Sequence, residues 1–181
     1  MHEISNNQAS CAEESLQQQT DPLVAELAEL LLARKATMTT AESCTGGLIA
    51  GALTAMPGSS AWFEQAVVTY SNEAKQSLLG VPASVFDEHG AVSETCVRAM
   101  AKGACERSGA SVSVAASGIA GPDGATPGKP VGTVWLGWSV GNTVSAELLH
   151  LEGDRRAVRE QAVLQALRGT IARIRNGSDL N

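Results

Sequence analysis

Apolar positions along the chain recur at two periods, and the breaks between them divide it into alternating helix-like and strand-like segments. Leu23, Leu27, Leu30 and Leu31 repeat at helical spacing, and Asp21-Pro22 ahead of them predicts a helix start; Lys35 ends the helix. Ala36 to Thr40 is a β-prone run. A polar turn separates it from the helix-like Leu48-Ile49-Ala50-Gly51-Ala52-Leu53, and Met56 to Ser60 breaks the chain. Phe63 to Tyr70 predicts a second strand, with Ala66-Val67-Val68 as its buried centre. Ser71 or Asn72 then caps a short helix that Gly80 stops, and Pro82 to His89 predicts another short turn of helix closed by Gly90. Ser93 to Arg107 predicts a long helix with Val97, Met100, Ala101 and Ala104 inward, followed by a strand from Ala110 to Ala116. Gly132 to Val140 and Thr143 to Leu151 flank Gly141-Asn142, a hairpin signal that makes them antiparallel. Asp154 caps a final helix reaching Arg175.

Strands alternating with helices, then a hairpin, predict an α/β fold: a three-layer α/β/α sandwich with a mixed, mostly parallel sheet. Residues 1–20 are polar and read as a disordered leader, residues 21–176 as one domain, and residues 177–181 as a tail. Ligands of such sheets sit at the carboxyl ends of the strands. The turn at Ser43, the turn from Tyr70 to Lys75 and the Gly- and Pro-rich loop from Ser117 to Pro130 all fall there, and a loop that long is usually functional.

Composition narrows the possible functions. At 181 residues, 44% hydrophobic and 18% charged, the chain suits a soluble domain with a substantial core. Aromatics are only 3%, so small residues must pack helices closely on the sheet. A net charge of −6 argues against broad binding to nucleic acid. No apolar run is long enough to span a bilayer, and the first 20 residues lack the apolar stretch of a signal peptide, so no membrane partner and a cytoplasmic location are expected. The four cysteines, Cys11, Cys44, Cys96 and Cys105, fit no metal or redox spacing and read as reduced thiols.

Thr39-Thr40-Ala41-Glu42-Ser43-Cys44-Thr45-Gly46-Gly47 lies between a strand and a helix. Such a turn offers Ser43 either as a nucleophile beside backbone N–H donors or as part of a helix-capping turn. Cys44 is the alternative nucleophile, with no histidine near it in sequence. His2, His89 and His150 are poor bases for Ser43, which leaves Lys75. Near a helix N-terminus a lysine is pushed toward its neutral form; otherwise it is a solvated surface residue. Tyr70 either relays a proton or ends a strand in water. Glu42 orients the lysine, binds ribose hydroxyls or caps the helix, and Asp123 either contacts ligand or forms a turn with Gly124. Arg155, Arg156 and Arg159 oppose the dipole of the final helix, so they need an anionic ligand or salt bridges to Asp154, Glu152 or Glu160.

Together, Thr40 to Gly47, Gly58-Ser59-Ser60, Val68 to Lys75, Gly90 to Ser93, Ser117 to Pro122, Lys129 to Val134 and Gly153-Asp154-Arg155 resemble the CinA C-terminal-domain family, from about Leu23 to Ile174. Its stand-alone members include nicotinamide mononucleotide deamidases. Larger members carry a further N-terminal domain for which these residues leave no room. The resemblance implies hydrolysis of the mononucleotide carboxamide in pyridine-nucleotide salvage, with Ser43 as nucleophile, Lys75 as base and Tyr70 assisting. It implies no metal or other cofactor, and a homo-oligomer, a dimer being the expected form. Substrate contacts are expected from Glu42, Thr45, Gly46 and Gly47. Ser117, Gly118, Ile119, Ala120 and Gly121, with Arg155 and Arg159, are expected to complete them. A catalytically silent nucleotide-binding module, acting in competence or damage response, is the competing class. An amidohydrolase for another carboxamide is a third.

Overall fold

The computed structural model describes residues 14–177. Six α-helices and five strands follow in the order α1 (Leu16–Ala33), β1 (Met38–Glu42), α2 (Leu48–Thr54), β2 (Phe63–Val68), α3 (Asn72–Leu79), α4 (Ala83–Glu88), α5 (Glu94–Ser108), β3 (Val112–Gly118), β4 (Thr133–Val140), β5 (Thr143–His150) and α6 (Arg155–Asn176). The strands form one sheet in the order β2-β1-β3-β4-β5. β1 pairs parallel with β2 and with β3, while β3–β4 and β4–β5 are antiparallel. The expected hairpin is therefore present, but the sheet is not mostly parallel. After β3 the chain returns through a loop with no crossover helix, and a strand entered that way must run back along its neighbour.

Alternate strand positions feed two buried clusters. Val112, Val114, Ala116, Val134, Leu136 and Trp138 join Leu27, Leu31, Ile49 and Leu167 of α1, α2 and α6. Ala41 and Ala115 join Leu79, Val85 and the inner face of α5, where Val97, Met100, Ala101 and Ala104 are buried as expected. The small residues do the packing predicted for them. A side chain at Gly137 would collide with the Val97 carbonyl of α5, and one at Gly169 with the Trp138 indole. The indole nitrogen donates to Ala166 O and Thr170 Oγ1, which satisfies its one polar atom in the core.

Two local readings change. α1 starts at Leu16, not Asp21, because Ser15 and Gln18 form a capping box; Pro22 lies inside the helix. β2 is an edge strand whose burial alternates, leaving Ala66 and Val68 exposed. The apolar Ala66-Val67-Val68 run is thus no buried centre, because one face of β2 lacks a covering layer. The expected leader lies mostly outside the described residues, as does most of the expected tail.

Candidate active site

The carboxyl ends of β1, β2 and β3 open into a cavity of about 220 Å³ that brings the three suspected loops together. Ser43 follows β1. Its N–H donates to Ala116 O at 2.9 Å, so the turn begins from the last ladder bond of the sheet. Lys75 reaches it from α3, whose N-cap is Ser71 through a bond from the Ala74 N–H. Only 1% of Lys75 is exposed. Its Nζ donates to Thr69 O at 2.8 Å and lies 3.1 Å from Ser43 Oγ. Burial lowers the Lys75 pKa from its ordinary 10.5, opposed by the nearby Cys96 and Cys44 thiols. The solvated-surface reading of Lys75 is excluded, and its amine is biased toward the neutral state that a base requires.

Cys44 differs from its neighbour. Burial raises its thiol to about 11, with backbone hydrogen bonding at Cys44 and Thr45 opposing the rise. A thiol so protonated is a poor nucleophile. His89 is exposed beside Glu88, His150 is exposed on β5, and neither lines the cavity.

The predicted contact residues separate into two groups. Ser117, Gly118, Ala120, Tyr70 and Arg155 line the cavity with Ser43 and Lys75. Arg155 donates to Gly121 O at 2.8 Å and to the Tyr70 hydroxyl at 2.9 Å, tying the Gly-rich loop to the β2–α3 turn. Ser117 Oγ donates to Ala91 O at 2.8 Å. Glu42, Thr45, Gly46, Gly47, Ile119, Gly121 and Arg159 do not line it.

The second group builds the turn instead. Glu42 is fully buried; its carboxylate accepts N–H bonds from Gly47 at 2.9 Å, Ile49 at 3.1 Å and Ala50 at 2.9 Å, and the Thr40 hydroxyl at 3.3 Å. It is the cap of α2, with no oxygen left for ribose or for Lys75. Arg159 donates to Cys44 O at 3.1 Å and Thr45 O at 2.8 Å. Its charge answers backbone carbonyls of the turn, and Arg156 pairs with Glu160 at 2.7 Å. Gly46 and Gly47 carry φ values of 60° and 94°, a left-handed path that other residues adopt only with strain. They turn the chain from strand into helix. The buried Thr45 hydroxyl has no hydrogen-bond partner.

Asn72, Ala91 and Val92 line the cavity without having been singled out as site residues. Asn72 is the first residue of α3, and its place three residues before Lys75 on the same turn was the available signal. A larger hollow of about 420 Å³ between β4, β5 and the end of α6 shares no lining residue with this site. Among the described residues no group of His, Cys, Asp and Glu is placed to hold a metal ion, and no helix is long and apolar enough to cross a membrane.

The model of the CinA C-terminal domain matches residues 20–174. The chain belongs to the CinA C-terminal domain family. Within that family, the nicotinamide-nucleotide amidohydrolase PncC of Pseudomonas putida is 55% identical over 149 residues, covering 82% of this chain and 93% of that protein. A putative competence-damage inducible protein of Symbiobacterium thermophilum is 53% identical over 164 residues, but these are only 37% of its length against 86% of this chain. The crystal structure of the competence damage-inducible protein A of Klebsiella pneumoniae matches the fold with a TM-score of 0.85 at 40% identity, over 88% of this chain and 99% of that one. The α/β architecture is thus that of solved CinA family structures.

Proposed function

We propose that this chain hydrolyses the carboxamide of nicotinamide mononucleotide to nicotinate mononucleotide and ammonia, with Ser43 as nucleophile and Lys75 as general base. The observation that carries the mechanism is the 3.1 Å approach of the buried Lys75 amine to Ser43 Oγ. That separation serves either placement of the shared proton. With the amine neutral, Lys75 takes the serine proton as Ser43 Oγ bonds to the carboxamide carbon. Lys75 returns the proton to the departing nitrogen, the C–N bond breaks, and ammonia leaves. Water then attacks the acyl ester, losing its proton to Lys75, and the Ser43 hydroxyl is restored. Thr69 O holds the amine in line through both steps. Tyr70, oriented by Arg155, assists proton transfer to the leaving nitrogen.

The substrate is supported by the amidohydrolase name of the P. putida relative, which this chain covers almost from end to end. Arg155 and the Ala120–Gly121 end of the Ser117–Gly121 loop supply the donors for the 5′-phosphate; Arg159, spent on the Ser43 turn, does not. The two buried clusters support a three-layer α/β/α arrangement. The same reading takes the protein as a cytoplasmic homo-oligomer, a dimer, working in pyridine-nucleotide salvage without cofactor. The test is ammonia release from nicotinamide, its riboside and its mononucleotide, measured side by side. Release from the mononucleotide alone is the expected result. Release from a smaller carboxamide in preference would reassign the substrate. Release from none would favour a non-catalytic nucleotide-binding module, acting in the competence or damage setting that other relatives are named for.

A further inference from the structure

When Ser43 attacks a carboxamide, the carbonyl oxygen becomes negative and needs hydrogen-bond donors placed in advance. The glycine turn beside Ser43 looks like their source, yet most of its donors are committed. The Gly46 N–H goes to Ser43 O at 3.1 Å, the Gly47 N–H to Glu42 at 2.9 Å, and the Leu48 N–H to Thr45 O at 3.3 Å. Those of Ile49 and Ala50 also end on Glu42. The Cys44 and Thr45 N–H groups are the remaining donors of the turn and the rivals for this role.

We propose that the backbone N–H of Gly118, at the end of β3, is an oxyanion donor of this site. The β3–β4 register pairs Gly118 with Val134, and the Ile119 N–H donates to Thr133 O at 2.9 Å. Bonded pairs alternate along an antiparallel ladder, so Gly118 belongs to the pair whose N–H and C=O turn away from β4. They turn toward β1. Ala116, two residues earlier with the same orientation, demonstrates this by accepting the Ser43 N–H at 2.9 Å. The next rung would carry the Gly118 N–H to Ser43 O, but there the chain leaves the ladder and that carbonyl takes the Gly46 N–H instead. The Gly118 donor is left without a partner among the described residues, at the wall of the cavity that Ser43 and Lys75 share. Adjacent strands lie about 4.8 Å apart, which puts this N–H one strand away from the nucleophile. Glycine is required to keep it there. A Cβ at position 118 would lie 2.7 Å from Val134 Cγ2 and 2.8 Å from Thr133 O, so any side chain displaces the strand end.

This assignment rests on Ser43 being the nucleophile, and the experiment separates the two. The wild-type protein is crystallised with the analogue of nicotinamide mononucleotide in which an aldehyde replaces the carboxamide. Ser43 Oγ adds to the aldehyde carbon, and its proton passes through Lys75 to the former carbonyl oxygen, giving a tetrahedral hemiacetal. The expected structure shows that oxygen about 2.7–3.1 Å from the Gly118 nitrogen. An adduct on Ser43 whose oxygen sits instead on the Cys44 or Thr45 N–H overturns the Gly118 assignment and leaves the nucleophile standing. Analogue bound in the cavity with no bond to Ser43 overturns the nucleophile, and the donor with it. In solution, folded Gly118→Ala should lose roughly 10²- to 10³-fold in kcat with KM nearly unchanged, the split expected when a contact exists only in the transition state. An unchanged kcat in a protein with wild-type melting behaviour counts against the proposal.

Discussion

Lys75 ties the packing of the fold to the proposed chemistry. Its alkyl stem is packed away and its amine held by Thr69 O and Ser43 Oγ, with burial as the main force lowering its pKa. The unfolded chain holds that proton up to about 10.5, and the folded chain releases it earlier. Between those values the unfolded state binds more protons, so stability rises with pH there. The proposed mechanism needs the neutral amine, so kcat/KM for the mononucleotide should rise with pH along a limb whose midpoint lies below 10.5. Activity is lost as pH falls through the folded value. A flat profile over that range would show that no such base operates. At this scale the sequence was only partly informative. Ser43 and Lys75 were both identifiable, but their distance was not, since 32 residues separate them in the chain. Glu42 and Arg159 drew attention as charges near Ser43, and nothing in a linear pattern tells a substrate contact from a backbone clasp.

At the scale of elements, α2 and the turn before it depend on a charge buried under them. A seven-residue helix is too short to be stable by propensity, and Glu42 satisfies three of its N-terminal N–H groups. Glu42→Gln places an amide NH₂ against those donors. Thermal unfolding should show a loss of about 1–3 kcal/mol, and kcat should fall because the Ser43 turn relaxes. Unaltered stability would mean that the cap is dispensable. The helices on periodic apolar faces were legible, as were the Gly141-Asn142 hairpin and the caps at Ser71 and Asp154. The start of α1 was missed because Asp21-Pro22 is also a good start signal, while the capping box that operates lies in a polar stretch resembling a leader. β2 was misjudged because an apolar run looks the same at a sheet edge as at its centre.

Across the whole molecule, the two core clusters hold the sheet rigid while its carboxyl edge carries the polar groups. Leu31 of α1 is fully buried in the first cluster, on the N-terminal helix and away from the cavity lining. Leu31→Ala should cost about 2–5 kcal/mol in denaturant unfolding while leaving activity per folded molecule unchanged. Activity lost in step with nothing but a small stability change would show that the core and the site are coupled. The share of parallel pairing was the largest topological miss: the helix-free Ser117–Pro130 loop already implied an antiparallel return into β4, and strand–helix alternation was carried past β3, where it stops. The convergence of three loops at one sheet edge, by contrast, follows from strand–helix alternation alone, and the cavity lies where they meet.

The central claim is a serine and a neutral lysine acting together on one carboxamide. Ammonia release from nicotinamide mononucleotide, compared among the wild type, Ser43→Ala and Lys75→Ala under identical conditions, tests it most directly. Steady release by the wild type and a loss on the order of 10⁴-fold in each variant, with both proteins folded, is the predicted result. Near-wild-type release by Ser43→Ala would contradict it.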